Sequence, residues 1–342
     1  MRSLLSWFMN RKSSATQVSS PPILSCSAPE ASPGTGLLWG LLGVAAFSLT
    51  VPFTRSLVVD GAMSGLFTGA GRAVIAGALA ATALVITRQR LPRGTQWARL
   101  GVVAFGLVLG FPLLTAYALA GATASHGAVV IALLPAATAV VAVLRTGEST
   151  RPSFWWATAA GALAAVLFSA VHGAGSVSMS IYDVLLVAAV VVAAFGYAEG
   201  GLLSRELGAW QTISWALVLA WPAMIGLSVL SLAQHTPEGT AWQWAAFGYL
   251  GVVSMFLGFF AWYRGLAIGP MSSVSQVQLI QPVMSICWAA LLLGERLTWF
   301  TVLGGLAVIL CAAAAVRVRT GRSPRALPQK RRFRPDLRKR AG

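Results

Sequence analysis

Charged residues are scarce in this sequence. They make up 10% of its 342 residues, and only nine of them are acidic; a soluble domain carries about 25% charged residues. Hydrophobic residues make up 57% of the chain, and its mean hydropathy is +0.74. This composition excludes an ordinary soluble domain and predicts a polytopic membrane protein.

Cysteine and histidine are also rare, with three of each. The cysteines show no CxxC spacing and no partnering histidine, so no disulfide framework and no metal site is predicted. The sequence has no GxSxG elbow, no phosphate-binding GxxxxGK[ST] and no HExxH motif, and its acids are not paired. We therefore expect no enzyme and no cofactor.

Long apolar stretches fill most of the chain. About 20 apolar residues are needed to cross a bilayer as a helix, and ten stretches meet that length. Because their connections are short, we expect one all-α integral membrane bundle of ten transmembrane helices. The predicted spans are 37–57, 63–87, 98–119, 123–144, 153–171, 181–203, 210–232, 241–263, 271–294 and 297–317.

A Gly/Ser-rich linker at 172–180 divides these spans into two sets of five, at 36–171 and 181–318. Residues 1–35 are predicted to be a disordered cytoplasmic tail. A short apolar run at the start leaves a signal or organelle transit peptide as the alternative. Residues 319–342 form a basic tail, also predicted to be cytoplasmic.

Basic residues predict the orientation of the spans. With the N-terminus in the cytoplasm, all but three of the 25 basic residues are cytoplasmic, the exceptions being Arg55, Arg72 and Arg296. An even number of spans then puts both termini in the cytoplasm. Anionic lipid headgroups beside the loops and tail explain the net charge of +16, and we expect no nucleic-acid partner. The excess of arginine over lysine favours a bacterial cytoplasmic membrane.

The two sets of spans share an internal repeat. An offset of 147 residues pairs Pro135 with Pro282 and Glu148 with Glu295, together with the glycine before each glutamate. Because each half has five spans, the halves must lie in the membrane in opposite orientations. Inverted repeats with interrupted helices at matching positions are typical of secondary transporters.

The segment LIQPVMSICWAALLLGERLT, at 279–298, carries a mid-helix proline and a Gly-Glu ending. With this segment and its two five-helix halves, the chain resembles the drug/metabolite transporter superfamily, in its ten-helix EamA-type permease branch. The resemblance covers about 36–318, and it is weaker in the first half, where RTGEST at 145–150 replaces the usual apolar residues. It implies transport of small metabolites through a cavity between the halves.

Polar residues of the ninth span fall on one helical face, within about 120° of one another. They are interpreted as the lining of a substrate cavity, with hydrogen bonding between packed helices as the alternative. Both repeated prolines, Pro135 and Pro282, are candidate hinges. The polar residues are Ser275, Gln278, Gln281 and Ser285.

Arg72 lies about nine residues into the second span, so it should face the bundle interior with a partner. One hypothesis makes it a counter-charge for an anionic or zwitterionic substrate, and the other makes it an anchor for helix-end carbonyls. Asp60, Asp183 and Glu199 are the candidate carboxylate partners.

Glu199 is the candidate proton-coupling acid, because a buried carboxyl can titrate near neutral pH. The alternative is an interfacial residue that reaches water or Arg205. Tyr117, Tyr197 and Trp262 are candidates for stacking on a substrate, although aromatic residues in such helices often serve only packing.

The sequence therefore predicts a secondary transporter, working as an exporter, that moves small metabolites, amino acids or drug-like compounds by alternating access with proton coupling. Two alternatives stay open: a membrane-embedded regulatory protein acting through its basic tail, and a flippase for lipid-linked intermediates. The partners implied are a small-molecule substrate and the lipid bilayer. The sequence leaves the oligomeric state open.

Overall fold

The computed structural model describes residues 33–147, 152–172, 180–268 and 277–320. The predicted binding residue Ser275, nearly all of the N-terminal tail, most of the linker and the chain after Thr320 lie outside these ranges. Within them the chain is helical and contains no strand.

Fourteen α-helices occur in the described part of the chain. The first half comprises α1 to α8, and the second half comprises α9 to α14. In order they are α1 (Pro33–Ser48), α2 (Thr50–Val58), α3 (Gly65–Ile86), α4 (Thr95–Val103), α5 (Phe111–Gly121), α6 (Ala124–Ile131), α7 (Leu134–Thr146), α8 (Pro152–His172), α9 (Ile181–Leu207), α10 (Ala209–Gln234), α11 (Ala241–Tyr249), α12 (Gly258–Ile268), α13 (Gln281–Leu293) and α14 (Trp299–Thr320).

Every predicted span contains helix, and the all-helical prediction is confirmed. Seven helical segments of the described chain are long and apolar enough to cross a membrane. Two shorter apolar helices, Gln278–Leu293 and Trp299–Cys311, follow them. The seven segments are Thr35–Val58, Gly65–Ile86, Thr95–Gly121, Ala124–Arg145, Ile181–Leu207, Ala209–Gln234 and Ala241–Gly265.

Several segments are not regular α-helices, which the sequence analysis did not predict. A π-helical stretch, Ala104–Gly110, joins α4 to α5, and a second one, Leu250–Leu257, joins α11 to α12. These stretches occupy matching places in the two halves. Such wide turns inside helices frequently occur at functional sites.

The two repeated prolines begin helices rather than bend them. Pro135 lies in the first turn of α7, and Pro282 lies in the first turn of α13 after a 3₁₀ turn at Gln278–Ile280. Proline is tolerated there because its missing N–H would have no helical acceptor. The predicted hinge positions are therefore real interruptions of the helix.

Helices α7 and α13 also end alike. Each is followed by a glycine in the left-handed region, Gly147 with φ 66° and Gly294 with φ 64°. Residues other than glycine are sterically disfavoured in this conformation, which explains why both repeats have glycine at this position.

The two halves pack through pairs of helices, one from each half. Helix α1 packs on α12, α3 packs on α10, and α8 packs on α14. Likewise α9 lies against α5 and α7, while α13 lies against α1, α2 and α6. The two halves are therefore interleaved rather than side by side.

Glycines allow two contacts between the halves to be very close. A methyl group added to Gly265 of α12 would lie 2.7 Å from the backbone nitrogen of Gly40. One added to Gly106 would lie 2.4 Å from the carbonyl oxygen of Val192 in α9. Small residues at crossings of this kind let membrane helices gain van der Waals contact.

Candidate functional site

A narrow cavity lies where the interruption between α6 and α7 faces the 3₁₀ turn before α13. Its volume is about 10 Å³, which is room for roughly one water molecule. No organic substrate fits a cavity of this size without movement of the helices. It is lined by Val51, Ala128, Ile131, Leu134, Pro135, Gln278, Gln281, Pro282 and Ser285.

Three of the predicted binding residues, and both predicted hinges, meet at this cavity. Gln278 is buried, and Gln281 lines the same cavity from the first turn of α13. Within the described residues neither side-chain amide has a hydrogen-bond partner. Each amide therefore has one acceptor and two donors that no described residue uses.

Ser285 has a structural bond instead. Its hydroxyl donates to the backbone carbonyl of Ser48 at 2.7 Å. Pro52 has no N–H, so this carbonyl has lost its normal helical donor. Ser285 therefore joins α13 to the end of α1, where Trp288 Nε1 also donates to the Ser48 hydroxyl at 3.1 Å.

Arg72 lies away from the cavity, between α3, α2 and α5. Only 2% of it is exposed. Its Nη1 donates to Thr54 Oγ1 at 3.3 Å and its Nη2 to Thr115 Oγ1 at 3.4 Å, while Nε has no partner. Within the described residues no carboxylate forms an ion pair with it. The guanidinium is therefore held by neutral hydroxyls.

The three predicted aromatic residues do not line the cavity either. Tyr117 is 46% exposed on the outside of α5. Tyr197 stacks on Phe259, with ring centroids 5.8 Å apart. Trp262 is buried with its backbone against Gly43 of α1. In this conformation all three serve packing or face outward.

Glu199 is part of an ion-pair network that we call the Arg99 cluster: Arg99, Arg145, Glu199 and Glu206. Glu199 is buried on α9 and pairs with Arg99 of α4 and, at 3.0 Å, with Arg145 of α7. Arg99 also pairs with Glu206, near the end of α9. Both arginines belong to the first half and both acids to the second. The cluster therefore ties the two halves together at one end of the bundle.

A second set of polar residues joins the two halves at the opposite end of the bundle. We call it the His126 cluster: Ser125, His126, Asp183 and Glu295. Glu295, which follows α13, accepts hydrogen bonds from the backbone N–H groups of Ala124 and Ser125 at 2.7 and 2.9 Å, and from the Ser125 hydroxyl at 2.7 Å. Its carboxylate thus satisfies free donors at the N-terminus of α6, where negative charge is stabilising.

His126 and Asp183 form the other link in this cluster. The Nε2 atom of His126 lies 2.6 Å from Oδ1 of Asp183. Asp183 also accepts from the backbone N–H and the hydroxyl of Ser180 at 2.9 Å each, which caps α9. The first turn of α9, in the second half, is therefore joined to α6 in the first half.

Arg55, an exception to the predicted charge distribution, has a structural role at this same end. Its Nη1 donates to the carbonyls of Leu119 and Ala120, at 2.6 and 2.9 Å. These carbonyls lie at the C-terminus of α5, where a positive charge is favourable. The burial of this arginine is therefore compensated by a helix end.

A family model for the EamA-like transporter family matches this chain twice, at residues 34–170 and 180–317. The chain belongs to the EamA-like transporter family. The resemblance to drug/metabolite transporters seen in the sequence is thereby confirmed, and this EamA-like protein is an integral membrane transporter. Families of this kind transport their substrates rather than convert them.

Two known proteins are similar to this EamA-like transporter. A Bacillus subtilis (strain 168) protein named "Uncharacterized transporter YdeK" is 46% identical over 290 residues, which cover 82% of this chain and 97% of that protein. A solved crystal structure with 20% identity matches 85% of this chain and 100% of its own, with a TM-score of 0.58. At that identity the crystal structure shows a shared fold and nothing further.

Proposed function

We propose that this EamA-like protein is a secondary transporter that exports small metabolites, amino acids or drug-like compounds by alternating access. In this proposal ten transmembrane helices form two inverted five-helix repeats, at 36–171 and 181–318. One observation carries the proposal: interrupted helices begun by Pro135 and Pro282 meet around a small cavity whose glutamine amides are unbonded. Interrupted helices at the meeting of two repeats are the usual construction of a transporter site.

The substrate contacts proposed are the amides of Gln278 and Gln281 and the hydroxyls of Ser275 and Ser285. A substrate enters only if the cavity widens. Pro135 and Pro282 favour this movement because the interruptions before them lack some of the hydrogen bonds that stiffen a helix. Tilting of α7 or α13 about these points would enlarge the cavity without unfolding either helix.

Alternating access requires one end of the bundle to open while the other stays closed. The Arg99 cluster and the His126 cluster both join the first half to the second, so they are the proposed closures. In the orientation expected from the basic residues, the Arg99 cluster lies at the cytoplasmic end. The structure then corresponds to a state closed at both ends, in agreement with its small cavity.

Glu199 is the proposed coupling acid because of its place in the Arg99 cluster. Protonation would remove the charge that binds Arg99 and Arg145, and so weaken the cytoplasmic closure. Arg72 is proposed to position α2 and α5 in the closed state through Thr54 and Thr115. A counter-charge role for Arg72, and stacking by Tyr117, Tyr197 or Trp262, would each require a rearranged conformation.

The test is transport by the purified protein in liposomes. Flux of amino acids, other metabolites and drug-like cations should be measured with and without a proton gradient. Replacing Gln278 and Gln281 together by alanine should abolish flux while the protein remains folded, and deletion of 319–342 should leave flux intact. Absence of flux and of binding across the whole panel would overturn the proposal.

Glu199→Gln separates coupling from transport. If Glu199 carries the proton, this variant retains substrate exchange but loses acceleration by a proton gradient. A variant with an unchanged response to the gradient would remove Glu199 from the mechanism. The expected location, a bacterial cytoplasmic membrane with both termini inside, is tested separately by reporter fusions to each terminus.

A further inference from the structure

An open, basic pocket lies at the end of the bundle that holds the Arg99 cluster. Its volume is about 520 Å³, within the range of small-molecule sites. It lies between the loop from α3 to α4 and the turn from α9 to α10. Its polar lining includes Arg88, Arg90, Arg93, Gln96 and Gln211. The pocket is separate from the substrate cavity, and its interpretation does not depend on what the protein transports.

Arg88 occupies an unfavourable backbone conformation at this pocket. Its φ is +48°, and within the described residues every other positive φ belongs to a glycine. Arg88 N–H donates to Val85 and Gln89 N–H to Leu84, which is the bonding pattern that ends a helix with a left-handed residue. Glycine is the usual residue there, and any other side chain is strained. Because glycine would relieve this strain, Arg88 is a candidate functional residue.

The positive charge of the pocket is not neutralised by neighbouring acids. Among the described residues, the ion pairs do not include Arg88, Arg90 or Arg93. Glu206 is the acid in the lining, and it already pairs with Arg99. The lining of the pocket therefore contains three arginines without an ion pair and one glutamate that already pairs with Arg99.

The surroundings of the pocket are apolar and exposed. Val85 and Ile86 of the last turn of α3 are 75% and 74% exposed, and Leu91 and Trp97 are exposed beside them. These residues lie at the end of a membrane-crossing segment, where bilayer hydrocarbon meets headgroups. A ligand with a phosphate at the arginines and an acyl chain along Val85 and Ile86 would use both features.

We propose that this pocket binds the headgroup of an anionic phospholipid, with the phosphate held by Arg88, Arg90 and Arg93. Guanidinium groups bind phosphate through paired, charge-assisted hydrogen bonds. The pocket joins the end of α3 to the α9–α10 turn, so the bound lipid would stabilise packing between the two halves next to the Arg99 cluster.

The proposal is tested with the full-length protein in nanodiscs of phosphatidylcholine containing increasing phosphatidylglycerol. Thermal unfolding and native mass spectrometry should show saturable binding of phosphatidylglycerol. Each arginine near a membrane surface contributes about fivefold to affinity, so Arg88→Gln should weaken binding roughly fivefold and the triple Arg88, Arg90, Arg93→Gln variant about 100-fold.

Two control variants distinguish binding at a specific site from attraction by surface charge, and loss of that site from misfolding. The triple variant Arg331, Arg332, Arg334→Gln removes the same charge from the C-terminal tail and should retain saturable binding. Arg88→Gly relieves the backbone strain, so it should unfold at the same or a higher temperature in pure phosphatidylcholine while binding phosphatidylglycerol about fivefold more weakly.

Three outcomes would overturn the proposal. If the pocket and tail triple variants lose equal affinity for phosphatidylglycerol, the binding is explained by surface charge and not by a site. If Arg88→Gly binds phosphatidylglycerol as tightly as the original protein does, Arg88 does not contribute to a binding site. Inorganic phosphate at 10 mM is the third test. If it displaces phosphatidylglycerol, and also binds equally well to protein in pure phosphatidylcholine, the site takes a soluble phosphate and not a lipid.

Discussion

Glu295→Gln should open the transporter at the end of the His126 cluster. Glu295 is a residue of the second half that receives three hydrogen bonds from Ala124 and Ser125 of the first half. Glutamine has nearly the same shape, but it lacks the negative charge and keeps one acceptor oxygen. The substitution therefore removes part of the closure while disturbing the packing little.

The expected size of the effect follows from these contacts. A hydrogen bond to a charged group contributes about 1.5–3 kcal/mol, and a carboxylate at a helix N-terminus adds about 0.3–1 kcal/mol. Because glutamine retains some of the bonding, we expect a loss of about 2–3 kcal/mol. This is roughly a 30- to 150-fold shift from the closed toward the open state at this end.

Access to the cavity reports this shift. The reporter is Ala128→Cys, because Ala128 lines the cavity and is almost fully buried. Cys26, Cys287 and Cys311 are first replaced by serine to remove the native thiols. A membrane-impermeant maleimide added on the side of the His126 cluster should label the reporter more than about tenfold faster in Glu295→Gln.

Glu238→Gln is the matched control. Glu238 is exposed in the connection between α10 and α11, and the same substitution there should leave the labelling rate unchanged. If Glu295→Gln and Glu238→Gln label alike, the carboxylate does not hold this end closed. Faster labelling from the opposite side would contradict the assignment of the two closures.

Three further predictions concern the other closure, the cavity and the packing. Arg99→Gln breaks both of its pairs and should speed labelling of the same reporter from the side of the Arg99 cluster only. Gln281→Ala should raise the KM for transport about two- to tenfold through loss of one or two hydrogen bonds, with protein abundance unchanged. Gly106→Ala should destabilise the protein by about 1–3 kcal/mol in thermal unfolding, because its methyl group would meet α9. Gly101→Ala, whose methyl group would meet nothing within 4 Å, should leave stability unchanged or raise it by up to about 1 kcal/mol.

The sequence was sufficient to predict an all-helical membrane protein, because hydropathy over about 20 residues reflects a strong physical requirement of the bilayer. The number of ten spans stays a prediction, since seven described segments are long enough to cross a membrane. Helix interruptions occur just before Pro135 and Pro282, the pair matched in the sequence, while the role of these prolines as hinges stays a prediction. The π-helical stretches were not predictable in the same way. Pro112 removes a donor just after the first stretch, but the second, at Leu250–Leu257, has no comparable signal in its sequence.

The ends of the bundle were the least predictable part. The bonds from Ala124 and Ser125 to Glu295, and from His126 to Asp183, join residues far apart in the chain, and no local pattern pairs them. The scarcity of acids was a usable signal, since each of these acids lies in or beside an apolar helix and needs a partner. The roles assigned to Gln278 and Gln281 stay predictions, although the cavity brings the two residues together.

The close crossing of α1 and α12 at Gly40 and Gly265 has a consequence for biogenesis. Among the described helices α1 leaves the ribosome first, and α12 follows it by more than 200 residues. At about 5–20 residues per second, α1 would wait roughly 10–40 s in the lipid before its permanent neighbour arrives. Its narrow glycine surface would be filled by lipid or by an insertion chaperone during that time. Translation speed and the supply of such chaperones should therefore limit the yield of this transporter.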